Sequence, residues 1–202
     1  MSIGNRRFQF MVPKSIDPFI DPEDLFADFP LWSKIWEASI ILADHLAGMP
    51  PDPEKRFLEI GGGIGLVGVV AACFGHRVTM MEHNPDAVQF ARANAEVNRR
   101  TDDQDFNIVQ LNWHQPALNR VFDYIVGSEV VYNEENYAPL QHLFSTCLIP
   151  GGTVILAERA RNTSIEFFRQ MSSLFDITAR KKILRLEGKE VRVILATMTF
   201  KT

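Results

Sequence analysis

The most constraining feature of this sequence is a run of glycines between a short apolar segment and a helical one. The segment reads Phe57-Leu-Glu-Ile-Gly-Gly-Gly-Ile-Gly-Leu-Val-Gly68, and we predict a strand over 57–60 and a helix over about 66–74. Glycine is favoured at such a turn because a Cβ atom would block the approach of a ligand to the backbone. The start of the helix adds unpaired amide donors and a partial positive charge. The segment therefore predicts a binding site for a nucleotide-like ligand.

The glycine run fits two kinds of nucleotide site. Residues 63–68 match the dinucleotide fingerprint G-x-G-x-x-G, and Glu82 follows about 20 residues later, as that fingerprint requires. The same run matches an acid-x-G-x-G-x-G pattern, which is carried by Glu59, Gly61, Gly63 and Gly65. A purely structural glycine turn is the third interpretation.

Charge separates these interpretations. Glu59 would repel the pyrophosphate of a dinucleotide, whereas S-adenosylmethionine carries a sulfonium and an amino group that a carboxylate stabilises. The chain has 202 residues, enough for one domain with a substantial core, while a dehydrogenase usually needs a separate substrate domain. We therefore predict S-adenosylmethionine as the cofactor. The cofactor-binding residues predicted from this segment are Glu59, Gly61, Gly63 and Gly65.

The rest of the chain alternates short apolar strands with amphipathic helices, a pattern that predicts a mostly parallel sheet. The predicted strands are 57–60, 77–82, 106–111, 124–127, 153–157, 176–186 and 191–200; helices are predicted over 33–47, 66–74 and 134–147 and from residues 84 and 163. The expected fold is α/β: a Rossmann-like seven-stranded, mostly parallel sheet with a C-terminal antiparallel hairpin turning at 187–189, and helices on both faces. We expect one domain over 1–202, in which 1–30 form an N-terminal arm or lid and 31–202 form a helix plus the Rossmann-like core.

Local signals mark two helix starts and one helix face. Asn84 before Pro85 predicts an N-cap, and Thr163 with Glu166 predicts a capping box. The apolar stripe predicted for the helix after Asn84 consists of Ala87, Phe90, Ala91 and Val97, and Asn94 interrupts it.

Polar and aromatic residues follow the second and third strands. Because ligands of open α/β sheets lie beyond the carboxyl ends of the strands, we expect Glu82 to accept both ribose hydroxyls, each charge-assisted bond contributing about 1.5–3 kcal/mol. Asn112 is expected to hydrogen-bond the adenine edge, and Trp113 to pack beside it. The alternatives are a solvated or helix-capping carboxylate for Glu82 and ordinary packing for Trp113.

The fourth strand ends in Gly127-Ser128-Glu129-Val130-Val131-Tyr132, where the methyl acceptor should meet the sulfonium. Ser128 is predicted to contact the cofactor. Glu129 and Tyr132 are three residues apart, so a single turn brings both to one cavity, and we predict them as the catalytic pair. The alternative is a structural carboxylate with a core tyrosine.

Together these segments resemble the family-16 seven-stranded methyltransferases, a group with many eukaryotic protein-lysine methyltransferases and bacterial relatives. The resemblance spans about Leu31 to Ala157 and is carried by Trp36, the Glu59 glycine motif, Glu82, Leu111-Asn-Trp113 and Glu129-Val-Val-Tyr132. It implies that Trp36 lines the cofactor pocket near the methionine end and that Glu129 and Tyr132 shape the acceptor site. It also implies an S-adenosylmethionine-dependent enzyme that N-methylates a protein lysine.

Composition and spacing argue against several partners. The net charge of −4 and pI of about 5.7 disfavour nucleic acid, which selects for basic faces, and no apolar run is long enough to span a membrane. The five histidines have no metal-ligand spacing, so we predict no metal. Cys73 and Cys147 have no metal or redox spacing, and the first residues lack a signal-peptide pattern, so we predict a cytoplasmic protein. The oligomeric state has no signature in the sequence.

Three alternative functions remain open on the sequence. A small-molecule N- or O-methyltransferase would have a narrow pocket capped by the N-terminal arm, whereas an open acidic groove would favour a protein lysine. A catalytically inactive binding or assembly protein would keep the fold, but would have no need for the intact glycine motif and Glu82. A dehydrogenase is the third. An adenine or glutamine N-methyltransferase is disfavoured because Asn/Asp-Pro-Pro-Tyr is absent after the fourth strand.

Overall fold

Strands and helices alternate along the chain. The computed structural model of the protein describes residues 1–23, 29–98, 106–115, 118, 122–186 and 189–201. Its strands are β1 (Ser2–Ile3), β2 (Arg6–Arg7), β3 (Arg56–Ile60), β4 (Arg77–Glu82), β5 (Phe106–Gln110), β6 (Phe122–Ser128), β7 (Leu148–Arg159), β8 (Phe175–Leu186) and β9 (Lys189–Phe200). Its α-helices are α1 (Glu37–Ala47), α2 (Leu66–Cys73), α3 (Pro85–Asn98), α4 (Tyr137–Cys147) and α5 (Asn162–Met171). Short 3-10 turns occur at Asp17–Phe19, Leu31–Ser33 and Glu134–Asn136.

One mostly parallel sheet organises these elements. The strand order is β5-β4-β3-β6-β7-β9-β8. The neighbours from β5 to β7 are parallel, while β9 runs antiparallel to both β7 and β8. The predicted fold class, a Rossmann-like seven-stranded sheet closed by an antiparallel hairpin, is therefore confirmed. The turn at 187–188 lies outside the described residues.

Different helices cover the two faces of the sheet. Alternate residues of a strand point to opposite faces, so Phe57 packs with α1, α2 and α3, while Leu58 and Ile60 pack with α4 and α5. The same alternation places Glu59, between Leu58 and Ile60, on the face that α2 covers.

The first helix begins later than the apolar spacing predicted. The helix predicted over 33–47 starts only at Glu37. Leu31–Ser33 form a 3-10 turn, and Trp36 has extended backbone at φ −91° and ψ 146°. The indole Nε1 of Trp36 donates to the carbonyl of Leu31 at 2.7 Å, which stabilises this turn in place of a further turn of α-helix.

Helix α3 starts as predicted, but Val97 does not lie on its buried face. The Asn84 Oδ1 accepts the amide hydrogens of Asp86 and Ala87 at 2.9 and 3.0 Å, which confirms the N-cap. Val97 is 47% exposed, whereas Asn94 is fully buried. The predicted stripe was therefore wrong at Val97, because the helical period that buries Ala87 and Ala91 continues through residue 94.

Two predictions near the C-terminal half need correction. The strand predicted over 153–157 extends over Leu148–Arg159, and Pro150-Gly151-Gly152 lies inside it at a shift in its register with β6. Gly151 has φ +76°, so glycine lets the strand kink without ending. Thr163 is not the cap of α5, because the helix begins at Asn162 and the hydroxyl of Ser164 accepts the Arg161 amide hydrogen at 3.1 Å.

The first eleven residues lie against the helix layer formed by α1, α2 and α3. Strands β1 and β2 pair antiparallel, and Ile3 and Phe8 are buried in the cluster that includes these helices. The backbones of Gln9 and Met11 hydrogen-bond with Asn98 and Asn94 of α3. This part of the chain is packed onto the core; a lid role for residues 1–30 stays a prediction.

Candidate active site

A cavity of about 340 Å³ opens at the carboxyl ends of β3, β4 and β6. Its size falls in the range of about 300–1,000 Å³ that is usual for small-molecule sites. Eight of the residues predicted from the sequence line it: Trp36, Gly61, Gly63, Glu82, Trp113, Ser128, Glu129 and Tyr132. Three do not line it: Glu59, Gly65 and Asn112.

The glycine turn has a backbone that other residues rarely adopt. Gly61 has φ +58°, and a Cβ atom there would lie 2.6 Å from the ring of Trp113. Gly65 has φ +84° at the start of α2, where a Cβ atom would lie 3.0 Å from the Cβ of Ala91 on α3. Gly61 therefore keeps the cavity open beside Trp113, and Gly65 allows α2 and α3 to pack closely.

Glu82 lies on the cavity wall at the end of β4 and is 5% exposed. Its Oε2 accepts the Gly63 amide hydrogen at 2.9 Å, and its Oε1 accepts those of His83 and Asn84 at 2.8 and 2.9 Å. Burial raises the pKa of Glu82, but the hydrogen bonds from His83, Asn84 and Gly63 outweigh it and hold the pKa below its ordinary value. The cavity therefore has an ionised carboxylate that is tied to the glycine turn.

Glu59 is buried beneath α2 and is not on the cavity wall. A Cβ atom at Gly68 would collide with its Oε2, and this oxygen has no hydrogen-bond partner among the described residues. Burial raises the pKa of Glu59 to about 8; the charge of Glu82 adds to the rise, and the nearby Gly68 amide opposes it. The structure thus corrects the expected contact between Glu59 and a cationic cofactor, because the carboxyl is mostly protonated at pH 7 and points under the helix.

Asn112 and Trp113 are adjacent, but only Trp113 lines the cavity. Asn112 is exposed, and its Oδ1 accepts the amide hydrogen of His114 at 2.9 Å. Its side chain therefore closes its own turn, and the expected contact with an adenine edge is not what this conformation provides. Trp113 lies on the cavity wall against the glycine turn, next to Leu111.

Glu129 occupies a strained position directly after β6. It is the only non-glycine residue with positive φ (+55°) in the part of the chain that the structure describes, and such strain clusters at functional sites. Its Oε1 accepts the Arg159 amide hydrogen at 2.7 Å, and its Oε2 is paired with the guanidinium of Arg161. Tyr132 lies on the cavity wall as well, with 43% of its surface exposed.

A buried carboxyl that the sequence analysis missed supports this segment. Glu158 of β7 is fully buried, and its Oε1 accepts the amide hydrogens of Val130 and Val131 at 2.9 and 3.2 Å. Burial raises the pKa of Glu158 well above its ordinary value, and the charge of Glu129 adds to the rise. An acidic residue directly after the predicted strand 153–157 was the available signal.

The N-terminal wall of the cavity was also missed. Leu31, Trp32, Lys34 and Ile35 line it together with Trp36, and the Nζ of Lys34 lies 3.7 Å from the centre of the Trp36 ring. The two tryptophans in Leu-Trp-Ser-Lys-Ile-Trp were the visible signal, but the helical spacing assigned residues 33–36 to the first helix.

In the described ranges of the chain, no helix is long and apolar enough to cross a bilayer. No group of three or more His, Cys, Asp or Glu residues in those ranges could hold a metal ion.

Several solved structures share this fold with the chain. The protein shares a TM-score of 0.63 and 15% identity with Pyrococcus horikoshii TYW2 in complex with MeSAdo, over 89% of this chain and 67% of that one. It shares a TM-score of 0.60 and 16% identity with an S-adenosylmethionine-dependent methyltransferase of Methanosarcina mazei, over 76% of this chain and 96% of that one. The chain thus shares its fold with a solved S-adenosylmethionine-dependent methyltransferase.

Several curated relatives are named as protein-lysine methyltransferases. The chain is 28% identical to protein N-lysine methyltransferase METTL21A of Xenopus tropicalis, over 69% of this chain and 66% of the relative. It is 34% identical to METTL21A of Danio rerio over 60% and 57%, and 28% identical to EEF1A lysine methyltransferase 3 of Mus musculus over 69% and 61%. The chain thus spans between 57% and 66% of the length of these relatives.

A model of the lysine methyltransferase family matches most of the chain. The lysine methyltransferase model matches residues 30–174, a range that contains the glycine turn, Glu82 and the segment from Glu129 to Tyr132. The predicted resemblance over about 31–157 is confirmed, and the chain belongs to the lysine methyltransferase family.

Proposed function

We propose that the protein transfers the methyl group of S-adenosylmethionine to the ε-amino group of a lysine in a protein substrate. The observation that carries the proposal is one cavity that joins Glu82 and the glycine turn to Glu129 and Tyr132, in a chain of the lysine methyltransferase family. When bound, S-adenosylmethionine supplies a methyl group activated by a sulfonium.

The cofactor half of the cavity suits an adenosine with a cationic tail. Glu82 is ionised; its Oε1 already accepts two backbone amides, whereas its Oε2 accepts only one and keeps a lone pair, so it is suited to a ribose hydroxyl. Gly61 and Gly63 provide backbone that a ligand approaches closely. Trp113 and Trp36 offer aromatic walls on the same cavity, and we assign them, with Ser128, to cofactor contacts.

The acceptor half must hold a lysine in its neutral form. The reference pKa of lysine is about 10.4, so a neutral amine near pH 7.4 costs about 4 kcal/mol, three units at 1.36 kcal/mol each. A nearby positive charge and poor solvation both lower the pKa of an amine. With the cofactor bound, the amine nitrogen would form a bond to the methyl carbon as the carbon–sulfur bond breaks, and the proton would leave to water.

Glu129 is proposed to orient the acceptor, and Tyr132 to confine it. An isolated Glu129 carboxylate would hold lysine as an ammonium and oppose the reaction. Its pairing with Arg161 offsets that charge, so the carboxylate directs the amine with less stabilisation of its protonated form. No general base is assigned.

The location and partner belong to the same proposal. The partner is a protein that presents a lysine to the cavity. A cytoplasmic location is also proposed, because Cys73 and Cys147 have no metal or redox spacing in the sequence, which fits a reducing compartment.

The test is to incubate the protein with methyl-labelled S-adenosylmethionine and a cell extract, then to separate macromolecules from small molecules. We expect label in one or a few proteins with wild-type enzyme and almost none with Glu82→Ala. Label that enters only small molecules would refute the protein substrate and support the alternative acceptor class. No transfer to any fraction would refute the activity.

A further inference from the structure

Asn94 is a fully buried amide in the middle of α3. A buried amide is costly unless its polar atoms are paired, and here each is. Its Oδ1 accepts the Met11 amide hydrogen at 2.6 Å, and its Nδ2 donates to the Met11 carbonyl at 3.0 Å and to the Ile64 carbonyl at 2.9 Å. One side chain therefore joins the N-terminal segment to the glycine turn.

Asn98, one helical turn later, holds the same N-terminal segment without reaching the glycine turn. Its Oδ1 accepts the Gln9 amide hydrogen at 2.9 Å, and its Nδ2 donates to the Gln9 carbonyl at 2.6 Å. The Nδ2 also donates to the carbonyl of Asn94, within its own helix, at 2.8 Å. Asn98 thus provides a matched control for Asn94 on the same helix face.

The carbonyl that Asn94 holds belongs to the candidate cofactor site. Ile64 lines the cavity and lies between Gly63, whose amide donates to Glu82, and Gly65, whose backbone packs against Ala91 of α3. The orientation of the Ile64 peptide is thereby linked to the turn that the cofactor must contact.

The chain beyond Met11 reaches the same cavity from another side. Val12 to Ile16 line a second cleft of about 620 Å³, and its other wall is the segment 29–36 that also borders the cofactor cavity. Phe19 packs edge-on against Trp32, which lines the cofactor cavity, with ring centres 5.0 Å apart. A movement of residues 9–16 would therefore change one flank of the cavity.

From these contacts we infer that Asn94 is a positioning residue that couples residues 9–16 to the glycine turn. Bound cofactor fixes the conformation of the glycine turn, and Asn94 transmits this to Met11 through its hydrogen bonds. In return, the position of residues 9–16 raises the affinity for the cofactor. Such coupling is reciprocal by thermodynamic necessity. An acceptor protein that binds residues 9–16 in this position would then strengthen cofactor binding, and an acceptor that displaces these residues would weaken it. The inference rests on the proposed cofactor site.

The test uses S-adenosylhomocysteine, the product form of the cofactor, with the full-length protein. Hydrogen exchange of the Gln9 and Met11 amides is measured with and without saturating S-adenosylhomocysteine. We expect the Met11 amide to exchange about 5-fold or more slowly in the complex, the lower end of ordinary coupling between sites. This wild-type measurement needs no variant and so does not depend on a substitution that fails to fold.

Two variants separate the coupling from a general loosening of the segment. Asn94→Ala is expected to weaken S-adenosylhomocysteine binding by about 5-fold or more, and saturating ligand should no longer protect Met11. Asn98→Ala loosens Gln9 but is expected to leave the affinity nearly unchanged and the protection of Met11 intact.

The outcomes are distinguishable. If wild-type protein binds S-adenosylhomocysteine and residues 9–11 exchange at an unchanged rate, or if both variants lose equal affinity, the coupling is refuted and the cofactor site stands. If wild-type protein binds no S-adenosylhomocysteine in titration calorimetry, the proposed cofactor site fails and the coupling falls with it.

Discussion

The carboxylate of Glu129 is paired with the guanidinium of Arg161, a residue 32 positions later that precedes α5. The pair joins the end of β6 to the end of β7 beside the cavity, and Glu129 is only 8% exposed within it. A carboxylate at the proposed acceptor site is therefore already partly neutralised before any substrate arrives.

Replacing Arg161 with Met is expected to lower turnover and shift the acid limb of the turnover–pH profile upward by about one unit. The reason is that the guanidinium no longer offsets Glu129, so the acceptor lysine keeps its proton to higher pH. The KM for the acceptor should fall or stay constant, because an unpaired Glu129 binds the ammonium more tightly. The profile is measured on the protein labelled in the extract experiment.

Arg169→Met is the matched control for Arg161→Met. Arg169 pairs with Glu166 on the surface of α5 and is 73% exposed, so its loss should leave the profile unmoved. If Arg161→Met reduces turnover at every pH without moving the limb, Arg161 is only structural.

Glu82→Ala is expected to weaken S-adenosylhomocysteine binding by about 10- to 100-fold, equivalent to roughly 1.5–3 kcal/mol for lost charge-assisted hydrogen bonds. Titration calorimetry measures this affinity. Unchanged affinity in a folded Glu82→Ala protein would remove Glu82 from the cofactor site.

Glu129→Gln should bind the same ligand almost normally while its turnover falls greatly.

Glu59 is expected to make the free energy of unfolding decrease as pH rises. Because its folded-state pKa of about 8 lies above the ordinary glutamate value of 4.5, the stability that it contributes is full below pH 4.5 and is lost as pH rises to 8. The slope is about 1.4 kcal/mol per pH unit for one group. Urea unfolding of Glu59→Gln between pH 5 and 8 should lack this slope; an identical pH dependence in both proteins would contradict the raised pKa.

Glu158 should tolerate Gln far better than Ala. Gln keeps an oxygen for the Val130 and Val131 amides, whereas Ala leaves two buried donors unpaired, each costing about 1–3 kcal/mol. We expect urea unfolding to show a loss of about 2–4 kcal/mol for Glu158→Ala and little for Glu158→Gln. Equal losses would mean that the two amide contacts do not stabilise this segment.

Local chemistry made much of the fold predictable. The strand–turn–helix around Gly61 and Gly65 follows from backbone conformations that favour glycine, and the start of α3 follows from the Asn84 cap. The placement of Glu82 on the cavity wall follows from its position at the end of a parallel strand. These features are set by residues within a few positions of one another.

The errors arose where distant residues decide the outcome. The motif does not say which face of β3 lies under α2, so Glu59 was expected in the cavity. The Glu129–Arg161 pair and the Asn94 contacts join residues 30 or more positions apart in the chain, and Asn112 satisfies its own turn with His114. Sequence spacing within one element does not predict such tertiary contacts.

The most direct test of the proposed activity is to find the atom that receives the methyl group. Protein labelled with trideuteromethyl S-adenosylmethionine is digested and sequenced by tandem mass spectrometry. We predict trideuteromethyl groups on the ε-nitrogen of a lysine with wild-type enzyme, and far fewer of them with Glu82→Ala at the same cofactor concentration. Label on a histidine, an arginine or a carboxylate, with none on lysine, would contradict the proposed acceptor.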